Sequence, residues 1–311
     1  MFFEIKKKIE AYDTIIIHRH ENPDGDALGS QIGLATVLRE NYPEKKIYTV
    51  GDTSRRFAFM EGSEMDTVAD ALYANALAIV LDTSASHLIS DKRYTTAKET
   101  VRMDHHLFCE KICDLELVDT SFESCAGLVA EFVRVTGLRQ TPLSAKSFYT
   151  GMVTDSGRFR YDSTTSKTHA VASYLMQTPF STGDIYRNLY SDDFSFIRLR
   201  AQFVLKIQFS EKNVAYIYTT KEELASYGVD TFSISRGMVN TMGEIRGVDI
   251  WVNFTETDAG ILCEIRSSKY NINPVAVKYG GGGHQKASGA TLTTKEEAMA
   301  LLSDLEQLIG E

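Results

Sequence analysis

The sequence predicts an α/β protein in two parts. Residues 1–186 form an N-terminal domain built on a parallel sheet with helices on both faces, residues 187–206 a connecting helix, and residues 207–311 a smaller α+β C-terminal domain. Three observations predict this plan. The apolar runs at 14–17, 76–81 and 101–103 have strand length, and each leads into Asp or His, as in a parallel sheet that carries a site on its carboxyl edge. From residue 207 onward helical spacing gives way to alternation between apolar and polar residues. At 311 residues the chain is long enough to bury two cores.

The elements follow in order. Phe2, Ile5 and Ile9 recur at helical spacing over 2–11, and Asp13 opens the first strand, whose Ile15, Ile16 and Ile17 favour a pleated, buried surface. A helix over 26–41 leads to a strand at 46–50, and a stretch without periodicity separates this from the strand at 76–81. Shorter strands are expected at 101–103 and 115–118, then helices at 125–135, 145–154 and 166–176; Gly151 and Gly157 in the middle one point to close packing and a helix end. Residues 185–206 hold neither Pro nor Gly and place Leu189, Phe194, Ile197, Leu199 and Phe203 near helical spacing, hence the connecting helix. In the second domain 214–218 reads as a strand, 221–227 as a short helix, and 249–254 and 261–266 as strands paired across 255–260. The glycine run 280–283 then interrupts before a last strand and helix.

Charge and composition exclude several classes. With 42 acidic against 33 basic residues the chain lacks the cations that hold long nucleic acid, although a small anion remains compatible if positive charge is concentrated locally. No apolar run is long enough to span a bilayer, and Lys6, Lys7 and Lys8 are not followed by a signal-peptide core, so a cytoplasmic protein is expected. Cys109, Cys113 and Cys125 lack the paired spacing of a zinc site and read as reduced thiols.

The chemistry-bearing residues gather at predicted element ends. His20, Asp24 and Asp26 are spaced H-x3-D-x-D after the first strand, in a turn that Pro23 and Gly25 make possible. A helix cap is the competing role for either aspartate. Asp82, His105, His106 and Asp155 join them; caps or turns explain each alone, but not all of them in order. Four carboxylates in one small site repel by about 4 kcal/mol per pair at 4 Å and an effective dielectric near 20. Two divalent cations about 3.5–4 Å apart, bridged by one carboxylate, would offset that. A ligand set of oxygen and imidazole without sulfur favours Mn²⁺ or Mg²⁺, and Asp104 is placed to orient the histidines after it. In the second domain the glycine run reads as a backbone cradle for an anion or as a flexible loop; His284 directly after it and Arg266 at a strand end favour a phosphate clamp. Arg158 and Asn240 are further candidates.

Asp104-His105-His106, with the His20 to Asp26 spacing, Leu81-Asp82-Thr83-Ser84 and Thr154-Asp155-Ser156-Gly157-Arg158-Phe159, resembles the four motifs of the DHH phosphoesterase superfamily. Arg266-Ser267-Ser268 with the glycine run, His284 and Ser288-Gly289-Ala290 resembles the DHH-associated C-terminal domain, and the two-domain plan is similar to the bacterial nanoRNase and pAp-phosphatase group. The resemblance implies that His20, Asp24 and Asp82 hold one Mn²⁺ and Asp26, Asp82, His105 and Asp155 a second. It also implies that His106 faces the scissile phosphate, Asp104 supports the histidines, and Arg266, Ser267, Gly281, Gly282, Gly283 and His284 bind substrate. The expected activity is manganese-dependent hydrolysis, by metal-bound hydroxide, of short oligoribonucleotides, of linear dinucleotides such as pApA to AMP, and of pAp. A manganese inorganic pyrophosphatase and a non-catalytic nucleotide-binding module are the alternatives. Expected partners are short oligonucleotides or nucleotides, with no long nucleic acid and no membrane; a homodimer is left open.

Overall fold

The structure, a computed structural model, describes residues 1–310 and divides into two compact units, residues 1–191 and from 192 onward. The first unit runs α1 (Phe2–Ala11), β1 (Thr14–His18), α2 (Gly25–Asn41), β2 (Lys46–Thr49), α3 (Asp70–Tyr73), β3 (Leu77–Leu81), β4 (Glu99–Asp104), β5 (Leu115–Val118), α4 (Cys125–Thr136), α5 (Pro142–Asp155), α6 (Ser166–Leu175) and α7 (Thr182–Tyr190). Its five strands are all parallel, in the order β2-β1-β3-β4-β5.

Period-two alternation decides what each face buries. Ile15 and Ile17 of β1, with Leu77, Ile79, Leu81, Val101 and Met103, join the large core under α1, α2, α4, α5 and α6. Ile16, Ala78 and Val80 point to the other face, which is covered by the four-residue α3 and by two 3₁₀ turns, Ser86–Leu88 and Lys92–Thr96. The longer helices thus gather on one face, and the second is closed by short helical turns and loops.

α2 is buried nearly all round and crosses α5 at close range. A Cβ on Gly29 would lie 2.6 Å from the Ser147 carbonyl oxygen, and one on Gly33 2.3 Å from the Phe148 ring, so only hydrogen at these positions permits the approach. The crossing brings the start of α2, with Asp24 and Asp26, beside the end of α5, with Asp155.

The expected connecting helix over 187–206 is instead two helices. α7 stops at Tyr190, α8 (Phe194–Leu205) begins after Asp193, and Ser191 and Asp193 are extended. Ser and Asp compete with the helix for backbone hydrogen bonds, and Asp192 turns its carboxylate to Arg200.

The second unit continues with β6 (Gln208–Phe209), β7 (Ala215–Thr219), α9 (Lys221–Ser226), α10 (Thr231–Ser235), β8 (Ile250–Thr257), β9 (Gly260–Ser267), α11 (Asn273–Lys278), β10 (Gly282–His284), β11 (Ala287–Leu292) and α12 (Lys295–Gln307). Its mixed sheet has the order β10-β11-β9-β8-β7-β6, with one core against α11 and α12 and another against α8 and α10. The β8–β9 hairpin is longer than its apolar run suggests: pairing continues to Thr257 opposite Gly260, leaving Asp258-Ala259 as the turn. The glycine run does not interrupt the sheet; Gly282–His284 is its edge strand.

If α2 and α5 depend on this close contact, Gly29→Val should destabilise the protein by about 2 kcal/mol through overpacking. Gly183→Ala, whose Cβ would meet nothing nearer than Ser181 Oγ at 3.8 Å, should leave stability unchanged or raised. Urea unfolding of both variants checks the pair; equal midpoints would refute the crossing argument.

Candidate functional site

The chain leaves β1 toward β2 on one side and returns to β3 on the other, so the carboxyl ends of β1 and β3 flank the point where strand order reverses. His20 lies just past β1, Asp82 directly follows β3, and Asp104 ends β4 before His105 and His106. Asp24 caps α2, Asp26 stands in its first turn, and Asp155 is the last residue of α5. All six expected metal ligands come together. They form groups that could hold metal: His20, Asp24 and Asp82; Asp26, His105 and Asp155; and Asp82 with His105 and His106.

Asp82 stands between the first two groups. Its Oδ2 is 3.5 Å from His20 Nε2, while its Oδ1 is 3.5 Å from His105 Nε2 and 3.7 Å from His106 Nδ1. Oδ1 is buried and accepts no hydrogen bond of normal geometry. His105 Nε2 also lies 3.7 Å from Asp26 Oδ2 and 3.5 Å from Asp155 Oδ2. The opposite ring atoms explain this orientation: Nδ1 of His20 is 2.7 Å from the Glu21 carbonyl, and Nδ1 of His105 is 3.4 Å from that of Phe122. A proton donated there leaves each Nε2 lone pair facing the carboxylates, the tautomer a cation requires.

Three of the carboxylates around the site are held by backbone amides. Asp24 Oδ1 accepts from the Asp26 and Ala27 amides at 2.9 and 3.0 Å, so the capping role is real and coexists with its place in the cluster. Asp26 accepts from the Cys125 and Ala126 amides at 2.7 and 2.8 Å, seating its carboxylate on the first turn of α4. Asp104 Oδ1 takes the His105 amide at 2.9 Å and His106 Nδ1 at 2.7 Å; its Oδ2 meets the fully buried Arg102.

The electrostatics are those of crowded anions among imidazoles. Burial and the charges of Asp82 and Asp155 push Asp26 well up, against His105 and the α4 amides. Burial raises Asp155 to about 7 despite His105. For Asp82 burial works upward too, but His105 and His20 outweigh it and hold the group below the usual carboxylate range. Burial disfavours charge on His105 and His20, yet the Asp82 carboxylate and its neighbours raise them to about 10 and about 9. The bond to Asp104 raises His106.

Two supports escaped sequence reasoning. Arg19 is fully buried; its Nε donates to Gln31 at 3.0 Å and its Nη1 to the His20 carbonyl at 3.0 Å and Asp52 at 3.2 Å, while Asp52 also takes the Asn22 amide and the Ser90 hydroxyl. This network fixes the loop that carries His20. The other is backbone strain: among the described residues five non-glycines have positive φ, and four of them, Asn22, Asp82, Arg158 and Phe159, lie in the loops that bear site residues. Only an Asn next to Pro hinted at one of them.

The second unit requires corrections. The amides of Gly280 and Gly281 donate to the Val277 and Ala276 carbonyls at 3.0 and 2.9 Å, ending α11, so they do not cradle an anion. Gly281 is glycine because a Cβ there would lie 2.1 Å from the Gly289 carbonyl oxygen. Ser267 faces away from Arg266, buried, with its hydroxyl donating to the Asp249 carbonyl and accepting from the Lys269 and Tyr270 amides. Arg266 and His284 do share a face: Arg266 is opposite Ala287, which is opposite His284. Glu264 lies 3.1 Å from Arg266 Nη1. Arg158 stacks 4.6 Å over Tyr190, and Asn240 sits in the 3₁₀ turn Val239–Met242 of the second unit.

Residues 14–153 match the DHH family, N-terminal domain, and residues 214–311 the DHHA1 domain. The chain is 38% identical to a Bacillus subtilis protein named "Bifunctional oligoribonuclease and PAP phosphatase NrnA", across 99% of this chain and 98% of that one. It is 34% identical to a Streptococcus mutans protein with the same name qualified as probable, across 99% of each. The crystal structure of an exopolyphosphatase-related protein from Bacteroides fragilis is similar with a TM-score of 0.85 at 28% identity, covering 98% of this chain and 95% of that one.

The cluster predicts how the metal-free protein responds to pH. His20 and His105, raised to about 9 and 10, stabilise fully below their unfolded value near 6.5 and lose that contribution as pH rises through their folded values. Asp155, raised to about 7, costs stability as pH rises from near 4 to 7, the same sign. The lowered Asp82 acts only in the acid range. In chelator the urea midpoint should therefore fall between pH 6.5 and 9, and a divalent cation that binds the cluster should flatten the profile. A chelated midpoint that rises over this range would contradict the arrangement.

Proposed function

Because the chain belongs to the DHH family, we propose that it shares the activity its relatives are named for and hydrolyses short oligoribonucleotides and PAP, together with linear dinucleotides such as pApA. It is a hydrolase acting on phosphoric ester bonds. The observation that carries the finer reading is Asp82, whose two oxygens face imidazoles on opposite sides while one, though buried, lacks a hydrogen-bond donor.

The donor set fits divalent cations. It offers carboxylate oxygens and imidazole lone pairs, and the nearby Cys125 thiol is engaged with the Met103 carbonyl at 3.2 Å. On this reading His20, Asp24 and Asp82 would hold one Mn²⁺, and Asp26, Asp82, His105 and Asp155 another, with Asp82 shared. When bound, the ions neutralise the carboxylates and supply the Lewis acidity that activates water against phosphorus. The protein's own groups do the rest. Asp104 holds the Nδ1–H of His106, fixing the ring with Nε2 on its far side, and raises its proton affinity so that a cationic ring faces the developing charge on the phosphoryl oxygens. Residues 1–186 are assigned the chemistry and residues 207–311 the hold on substrate, through Arg266 and His284 on their shared face with Gly282 and Gly283 of the same edge strand, and not through the amides of Gly280 and Gly281. The net charge of −9 favours short substrates, since few cations remain to grip a longer strand. No described helix is long and apolar enough to cross a membrane, in keeping with a cytoplasmic enzyme.

Asp82→Ala should abolish turnover and Mn²⁺ binding together, read by calorimetry and a pApA assay. His106→Ala should retain Mn²⁺ while kcat falls roughly a hundredfold. Near-normal turnover in the first variant, or lost metal in the second, would overturn these assignments.

Substrate range separates the remaining alternatives. With Mn²⁺, activity should peak on two to four nucleotides with a shallow salt dependence, and Arg266→Ala or His284→Ala should raise KM for pApA about tenfold. Pyrophosphate as the preferred substrate would instead identify a pyrophosphatase, and absence of turnover on every substrate a binding module.

A further inference from the structure

Two large aromatic side chains stand in solvent on loops that meet at the candidate metal cluster. Phe108, two residues past His106, is 61% exposed, and Tyr161, six past Asp155, is 59% exposed. The loops adjoin where His105 Nε2 and Asp155 Oδ2 lie 3.5 Å apart. Neither is loose at its base. On the Phe108 side Glu110 accepts from the Ser86 amide and hydroxyl at 2.7 and 2.8 Å, and its carbonyl takes Arg102 Nη1 at 3.1 Å. On the other, the Tyr161 amide donates to the Ser156 carbonyl at 3.1 Å, and its ring lies so close over Gly157 that a Cβ there would come within 2.4 Å. The chain therefore folds back after Asp155 and sets the ring beside the turn that carries the ligand.

We propose that Phe108 and Tyr161 are the stacking faces for the two nucleobases of a short substrate whose phosphate lies at the metal cluster. This rests on the nucleotide hydrolysis proposed above and deepens it to the recognition of bases. The surrounding chemistry favours this occupant. Cations held by the cluster's carboxylates would attract phosphate but offer nothing to a neutral heterocycle, whereas an aromatic face accepts any base without regard to sequence. Leu107, 79% exposed beside Phe108, widens the apolar edge. Two such faces, one on each of the loops that meet at the cluster, suit two bases, which gives short substrates a positive reason to be preferred in addition to the unfavourable charge seen by long ones.

The test compares pApA with an abasic analogue that keeps the same phosphates, using the full chain with Mn²⁺. Stacking worth about 1–3 kcal/mol per base means that Phe108→Ala and Tyr161→Ala should each cut the ratio of kcat/KM for pApA over the abasic analogue by roughly tenfold. The change should fall on KM, and Phe108→Trp and Tyr161→Phe should restore it. In parallel, the fluorescence of a 2-aminopurine dinucleotide should be quenched on binding to the wild type and less so on binding to the alanine variants. An unchanged ratio, or equal losses on both substrates, would overturn the proposal, the latter by showing that the residues merely position His106 and Asp155. If the wild type hydrolyses neither substrate the proposed activity fails, and the quenching experiment still decides whether these rings stack on bases.

Discussion

The repulsion among Asp24, Asp26, Asp82 and Asp155 is the constraint on which the first unit depends. Like charges at this density are tolerated only because every neighbour opposes them: three imidazoles, the amides at the start of α4 and of α2, and a geometry that leaves room for cations. The fold supplies each in turn. The parallel sheet aligns the ends of β1, β3 and β4, and the glycine-lined crossing of α2 and α5 closes the set by carrying two aspartates from one helix start to a third at the other's end.

Much of this was legible because the signals were local. Strands that run into Asp or His announced the carboxyl edge, and the period-two alternation over 214–218, now β7, announced the second sheet. What stayed hidden lay in partners distant in sequence. The contact between Asp26 and Cys125 spans 99 residues, and nothing around either suggests the other. Arg19 drew no reading from the sequence, because its partners Gln31 and Asp52 lie 12 and 33 residues away. The glycine run misled because its composition matches a loop, whereas its amides and close backbone approaches belong to a helix end and a sheet edge. Asp24 teaches a different lesson: cap and ligand were posed as alternatives, and one carboxylate serves as the cap while standing in the cluster.

The second unit places its candidate groups by strand register instead of by loop shape. Arg266 and His284 are separated by the small Ala287 in one cross-strand row, so their spacing is set by the sheet, at about 10 Å across two strand intervals. Glu264 beside Arg266 keeps the guanidinium partnered. Under the proposed clamp a phosphate there would compete with an existing carboxylate, which would temper affinity and favour release.

The left-handed backbone at Asn22, Asp82, Arg158 and Phe159 sets a limit on how this protein can be improved. Each such residue costs of order 1 kcal/mol or more, which glycine would recover at positions where the side chain has no task. A campaign that selects for heat resistance alone would therefore be drawn to these loops and would collect variants that survive boiling better and turn over less. The margin the natural sequence forgoes is concentrated where its chemistry is done, and stabilising changes compatible with activity have to be sought in the helices and surface turns away from the carboxyl edge of the sheet.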